Sequence, residues 1–456
     1  MKKITFIGAG STMFARQVLS ALLAYKDLPV CELVLEDLDE TILAKTFRLV
    51  GLMVEQSGHD VRVSMTTDQK TALMGADFVI NAIQVGGVDV WHQDIEIPKK
   101  YGVDQEVGDT LGPGGIFRAL RQIPHTLSIV KDMEELCPEA LFINYSNPLA
   151  PTTWAVSQAS SVRTLGLCYG VSYTIAQLAG YLGIAPWIAH PSSREKWNQL
   201  LSSKVPEGVE CTYAGINHMT WLLDFKFQGK DMYPEIRQLT ENAAVYENDK
   251  PRCEILKTFD FWCTENHWHM TDYVPYFRKT PEMIDHYLPE RWNLLPLNEK
   301  IHQLNNAEIE KQLAGEESIT IAPNMLNAPK LIHAIMTDTP TQINASVSNR
   351  WGERPLISNL PRDCAVEVPV NVDRRGVHPV EIGDLPKQCA ALNQTNINVQ
   401  ALIVEAVLSG NLAPARQALA LDPVTASQCT LEQIRMMFDE LLEAQSHLLR
   451  DWYHFQ

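Results

Sequence analysis

No stretch of this chain approaches the roughly 20 consecutive apolar residues of a membrane-spanning helix. No CxxC pair occurs among its nine cysteines, which are odd in number and scattered. Positive charge is scarce: 38 lysines and arginines stand against 55 acids, a net charge of −17. That balance argues against nucleic acid or an anionic membrane as a partner. It leaves an acidic substrate open, because a local field can oppose the net charge. Internal repeats and low-complexity linkers are absent too. Met1-Lys2-Lys3 runs straight into a short strand, with no apolar leader and no small-residue cleavage site. The expectation is a reducing, cytoplasmic compartment in which most thiols act as small buried hydrophobes.

What is present is an ordinary globular composition, 45% hydrophobic and 20% charged over 456 residues. The length calls for two substantial domains. Strand-like runs at Ile4–Ile7, Glu32–Asp37, Asp77–Ala82, Ala140–Asn144 and Thr164–Cys168 alternate with helical spacing. Such alternation predicts a parallel sheet built from crossovers. From about residue 190 the pattern changes. Strands are expected at 209–213 and 221–227, flanking an Asn217-His218 turn, and at 365–372. Long helices are expected near 391–409 and 431–449. The fold class read from this is α/β: a Rossmann-like parallel-sheet domain over 1–190, then a larger α+β domain over 191–456.

Ligands on a parallel sheet sit beyond the carboxyl ends of its strands. Gly8, Asp37, Asn147 and Cys168 all fall there. Gly8-Ala9-Gly10-Ser11 supplies the first two glycines of a dinucleotide fingerprint, after a strand and before a helix. Met13 stands where the third glycine would be. Asp37 ends the second strand, where a carboxylate accepts from ribose hydroxyls and repels a 2′-phosphate, favouring NAD over NADP. Asp39 competes for that role.

Cys168 reads either as a buried thiol or as a metal ligand. His218 reads either as a hydrogen-bonded turn histidine or as the second ligand of a borderline metal. Two protein ligands are too few for a structural zinc site and leave positions for water or substrate hydroxyls. Asn147 lies in an Asn-Pro turn after a strand. Asp109 to Arg118 form a glycine-rich loop entering a helix, where Asp109 and Arg118 face a ligand or else serve as a cap and a solvated cation. Tyr273 lies in an aromatic stretch. It reads as core, or as a base if a cation lowers its pKa from ~10.

Together these segments resemble glycoside hydrolase family 4, whose glycosidases use NAD and a divalent metal. The resemblance spans nearly the whole chain. Its most specific pieces are Ile7–Ser11, Asp109–Gly115, Asn144–Pro148, Gly166–Cys168, Gly215–Met219 and Gln394–Gln400. Several look closest to the melibiase-type α-galactosidases of that family. The resemblance implies a core like that of the lactate/malate dehydrogenases, NAD and manganese as cofactors, and a homodimer or homotetramer. Cys plus His would also accept nickel, cobalt or iron.

It also implies a mechanism: NAD oxidises the sugar at C3, a base removes the C2 proton, the C1 substituent leaves, and water adds as the steps reverse. Gly8, Gly10, Ser11 and Asp37 would bind NAD. Cys168 and His218 match the metal ligands, Asn147 a contact to sugar hydroxyls, and Tyr273 the base. Asp109 matches an aspartate that assists the leaving group; Arg118 and Tyr169 would meet the substrate.

Tyr169 departs from the family pattern. The residue after the metal-binding cysteine is usually His in α-galactosidases and α-glucosidases, and Asp or Asn in the 6-phospho enzymes. A phenol cannot carry the positive charge of an imidazolium. The substrate expected is therefore an unphosphorylated α-glycoside: an α-galactoside, an α-glucoside or a uronide. Two other readings share the amino-terminal fold. One is a lactate/malate-type 2-hydroxy-acid dehydrogenase, which needs no metal. The other is a non-catalytic NAD-binding homologue.

Overall fold

The computed structural model describes residues 1–11 and 14–454; Met13, the substitute for the third glycine, lies outside them. Six strands form the parallel part of the sheet: β1 (Lys2–Ile7), β2 (Cys31–Glu36), β3 (Val61–Thr66), β4 (Phe78–Asn81), β5 (Leu141–Asn144) and β6 (Arg163–Gly166). They pair in the order 3-2-1-4-5-6, the doubly wound order of dinucleotide-binding sheets. Ile4, Phe6, Val79, Ile80, Phe142 and Ile143 are all buried. Burial on both faces explains why β1, β2, β4, β5 and β6 read as apolar runs; β3, at the sheet edge and half-exposed, has no such run, and the sequence does not predict it. In the first helix, Phe14–Leu23, Ala15, Val18, Leu19 and Leu22 turn inward at helical spacing.

The later strands are β7 (Val209–Ile216), β8 (Met219–Phe227), β9 (Lys230–Asp231), β10 (Trp262–Cys263), β11 (Thr341–Ser348), β12 (Arg350–Trp351), β13 (Arg354–Pro355), β14 (Ala365–Asp373) and β15 (Gly376–Pro379). Except for the β12–β13 pair, they extend the same sheet antiparallel, in the order β6-β11-β14-β7-β8-β10. One 13-stranded sheet therefore runs through both halves of the chain. Ser346 facing Gly166 is the join.

The β7–β8 pair is longer than its sequence pattern predicts. Ala214, Ile216, Met219 and Thr220 are buried, and the strands continue until Ile216 faces Met219. Only Asn217 and His218 remain to make the turn. Two residues can close an antiparallel pair but not a parallel one. His218 thus stands at the tip of a hairpin held by paired backbone on both sides.

Candidate active site

The dinucleotide-type turn closes on itself. The N–H groups of Gly8 and Ala9 both donate to Glu36 O (3.0 and 2.8 Å), and that of Ser11 donates to Gly8 O. The N–H of Gly10 donates to Asp37 Oδ2 at 2.8 Å. A Cβ on Gly10 would lie 2.7 Å from that oxygen, so glycine is what admits the carboxylate. These N–H groups are engaged within the protein rather than left free for a pyrophosphate. The glycine observed here serves close approach to Asp37. Ser11 Oγ accepts from Phe14 N, the start of the first helix. Asp39 accepts from Thr41 N and Ile42 N and caps the helix Glu40–Ser57. Asp37 Oδ1 in turn accepts from Asp39 N at 3.0 Å, so both acids hold the backbone of this turn.

The glycine-rich loop brings a second acid to the crevice. Asn147 Nδ2 donates to Asp109 Oδ2 at 3.0 Å, and Arg118 Nη1 stands 4.0 Å from the same oxygen. Asp109 does not cap the helix Gly112–Leu136, whose cap is Leu111. Arg118 is buried, with its guanidinium over the Trp91 ring at 5.3 Å. Asp109 Oδ1 and Arg118 Nε and Nη1 have no hydrogen-bond partner among the described residues. Buried polar atoms are rarely left so, and a polar ligand between them would satisfy these. Burial pushes the Asp109 carboxyl up and the Arg118 guanidinium down.

Asp272 ties this loop to the opposite wall. Its Oδ2 accepts from the N–H groups of Glu106 (3.2 Å) and Val107 (3.1 Å). It precedes Tyr273 on the helix His267–Tyr273. One buried carboxyl, pushed up to about 7 chiefly by burial, therefore sets the Asp109 loop against the helix bearing Tyr273. The Gln394–Gln400 segment braces the same helix, with Asn396 Nδ2 donating to Tyr273 O at 3.2 Å.

The metal-type residues converge beyond β6 and the hairpin tip. Cys168 Sγ donates to Glu265 Oε2 at 3.7 Å, and His218 Nε2 stands 3.4 Å from the same oxygen. The donor atoms of Cys168, His218 and Glu265 all lie within 4.8 Å of one another. The backbone N–H of His218 donates to the Tyr273 hydroxyl at 3.3 Å. Burial pushes the His218 imidazole down to about 3. It drives the Cys168 thiol and the Tyr273 phenol above their ordinary ranges. Glu265 is pushed up to about 8 by burial, then by the carboxyls of Glu367 and Asp109. Without a cation these groups stay neutral. A divalent ion supplies the charge that lets a buried thiol and carboxyl ionise together, so this donor set fits one. His218 Nδ1 has no partner among the described residues.

Tyr169 lies beside this cluster, its phenol held high by burial and by the nearby Glu265 and Cys168. Its ring meets Trp197 edge-on at 6.0 Å, and Trp197 stacks on Trp292 at 6.3 Å. A second group, His190, Asp249 and His267, also has metal-type spacing. Two of its members are engaged: Asp249 accepts from Arg252 Nε (2.9 Å) and Tyr181 Oη (3.0 Å), and His190 Nδ1 meets Tyr173 Oη at 3.0 Å; His267 Nδ1 has no partner among the described residues.

The structure thus brings Asp109, Arg118 and Asn147 together, and Cys168, His218, Tyr169 and Tyr273 together, with Glu265 between the sets. Gly8, Gly10, Ser11 and Asp37 stand apart at the ends of β1 and β2. Sequence reasoning missed Glu265, Glu367 and Asp272. Glu265 lies 97 residues from Cys168, and only its place in the histidine-rich stretch Thr264–His269 could have marked it.

Residues 3–184 match the model described as "Family 4 glycosyl hydrolase", and residues 213–425 match "Family 4 glycosyl hydrolase C-terminal domain". The chain is 37% identical to an alpha-galactosidase of Bacillus subtilis, over 99% of this chain and all of that one. It is 32% identical to an alpha-galactosidase of Rhizobium meliloti, over 99% of this chain and 90% of that one. A 6-phospho-alpha-glucosidase from gut microorganisms, solved in complex with NAD and Mn2+, shares the fold with a TM-score of 0.79 at 19% identity, covering both chains fully.

Proposed function

The chain belongs to the family 4 glycosyl hydrolases and is a glycosidase; we propose that it hydrolyses an unphosphorylated α-glycoside, an α-galactoside foremost, using NAD and a divalent cation, manganese foremost. With the family established, the hydroxy-acid dehydrogenase reading falls. The observation that carries the proposal is the convergence of Cys168, His218 and Glu265 beside Tyr273 and Asp109. Support for the substrate comes from the two alpha-galactosidase relatives. Support for the cofactors comes from the fold neighbour solved with NAD and Mn2+.

Cys168 and His218 hold the ion, and Asp37 orients the ribose of NAD. When bound, NAD would supply the hydride acceptor for C3, and the cation would supply a Lewis acid to the C3 carbonyl so formed, the group that makes the C2 hydrogen acidic. The protein's own groups do the remaining work. Asn147 and the free N–H groups of Arg118 receive sugar hydroxyls. Tyr273 takes the C2 proton at its phenol oxygen. Asp109, whose carboxyl burial pushes up, stands to pass a proton to the departing C1 oxygen. Tyr169 stands where the 6-phospho enzymes carry Asp or Asn, so the chain lacks that mark of a phosphorylated substrate.

A panel of 4-nitrophenyl glycosides tests this. It should span α and β anomers of galactose, glucose, their uronic acids and their 6-phosphates. The expected result is turnover of the α-galactoside only when NAD, Mn2+ and a thiol reductant are all present. Turnover confined to the 6-phosphates would sink the substrate assignment.

A further inference from the structure

Glu265 is 3% exposed, yet no lysine or arginine pairs with its carboxylate among the described residues; its ion-pair neighbours are His218 and His269. A buried carboxylate without a cation is costly and uncommon. The fold nonetheless works to hold it there. Thr174 Oγ1 (2.9 Å) and Arg252 Nη1 (3.0 Å) both donate to its backbone oxygen. A Cβ on Gly170 would lie 2.8 Å from Glu265 Cγ, so the glycine after Tyr169 leaves the passage through which this side chain reaches Cys168.

We propose that Glu265 is a third protein ligand of the divalent cation, completing the site of Cys168 and His218. Metal–donor distances of about 2.0–2.3 Å put neighbouring ligands roughly 3–3.6 Å apart at octahedral or tetrahedral angles. Oε2 of Glu265 stands 3.4 Å from His218 Nε2 and 3.7 Å from Cys168 Sγ, close to that spacing before any ion draws the donors in. Thiolate plus carboxylate neutralise a divalent charge, so the ion is retained by the protein without the sugar. Three protein donors still leave positions for two substrate hydroxyls and a water in an octahedral shell.

The inference rests on the reading that this crevice holds a divalent cation, and its test needs no hydrolysis. Mn2+ binding to the sugar-free protein is measured by the electron-spin-resonance signal of unbound Mn2+, for the native chain, Glu265→Gln and His218→Asn. Glu265→Gln is expected to weaken Mn2+ binding at least ~10-fold, as His218→Asn does. With Co2+ as probe, the thiolate charge-transfer band should persist in Glu265→Gln while the d–d bands shift. Mn2+ affinity within ~2-fold of native, with the sugar KM raised instead, would overturn the proposal and make Glu265 a sugar-hydroxyl contact. If Glu265→Gln does not fold, Glu265→Asp carries the same comparison, since its shortened carboxylate must also lose Mn2+ affinity. A native chain that binds Mn2+ through Glu265 yet cleaves no glycoside would count against the proposed function alone.

Discussion

Cys168→Ser abolishes glycoside hydrolysis, a loss of ~100-fold or more, and leaves NAD binding within ~2-fold of native. The magnitude follows from what serine cannot do. A hydroxyl at that position will not ionise to a soft anionic donor, whereas a metal-held thiol is deprotonated outright. The ion then depends on His218 and a carboxylate beside the other buried acids of the crevice. The selectivity follows from topology. Cys168 stands beyond β6, while the Gly10–Asp37 contact lies beyond β1 and β2, three strands away in the sheet order. Activity assays at saturating NAD and Mn2+, with NAD titrated by protein fluorescence quenching, check both halves. Comparable hydrolysis by Cys168→Ser in metal-depleted buffer would remove the cation from the account.

Tyr273→Phe lowers kcat by about 10²–10⁴-fold, the usual worth of a positioned acid or base, with little change in the KM for the sugar or in Mn2+ affinity. Only one oxygen is lost. The ring stays in its buried place against the helix Lys387–Ser409, since Asn396 bonds the backbone of Tyr273 and not its phenol. Burial alone pushes that phenol above its ordinary range, the wrong direction for a base. The His218 N–H reaching its oxygen at 3.3 Å, and a cation if held by Cys168 and His218 as proposed, would offset this by stabilising the phenolate. Tyr273→Phe should therefore retain NAD reduction in single-turnover mixing while losing exchange of the C2 hydrogen with solvent. Loss of NAD reduction as well would assign Tyr273 to an earlier event.

The parallel half of the fold was legible because its signals are local. Apolar runs such as Phe78–Asn81 mark doubly covered strands, and the Gly8–Ser11 turn follows one of them directly. The competition between Asp37 and Asp39 was harder. Both acids fit the pattern, and what separates them is tertiary: Asp39 caps the next helix while Gly10 closes on Asp37. The hairpin was underread because Gly215 and a turn histidine resemble a loop, while tertiary burial of Ile216 and Met219 carries the strands through. Continuity of one sheet across the two halves had no local signal, since Ser346 and Gly166 pair from 180 positions apart. The same physics hid Glu265. A ligand set assembled from the end of β6, a hairpin tip and the segment after β10 has no sequence spacing to recognise, so only the two members lying in distinctive motifs were visible.

The most direct measurement is product analysis after hydrolysis of the preferred α-glycoside in D2O, with NADH absorbance followed in parallel. The account predicts one deuterium at C2 of each released sugar and no net NADH, because hydride returns to C3 after the C2 proton has exchanged. Released sugar carrying hydrogen at C2, with hydrolysis unaffected by removing NAD, would contradict it.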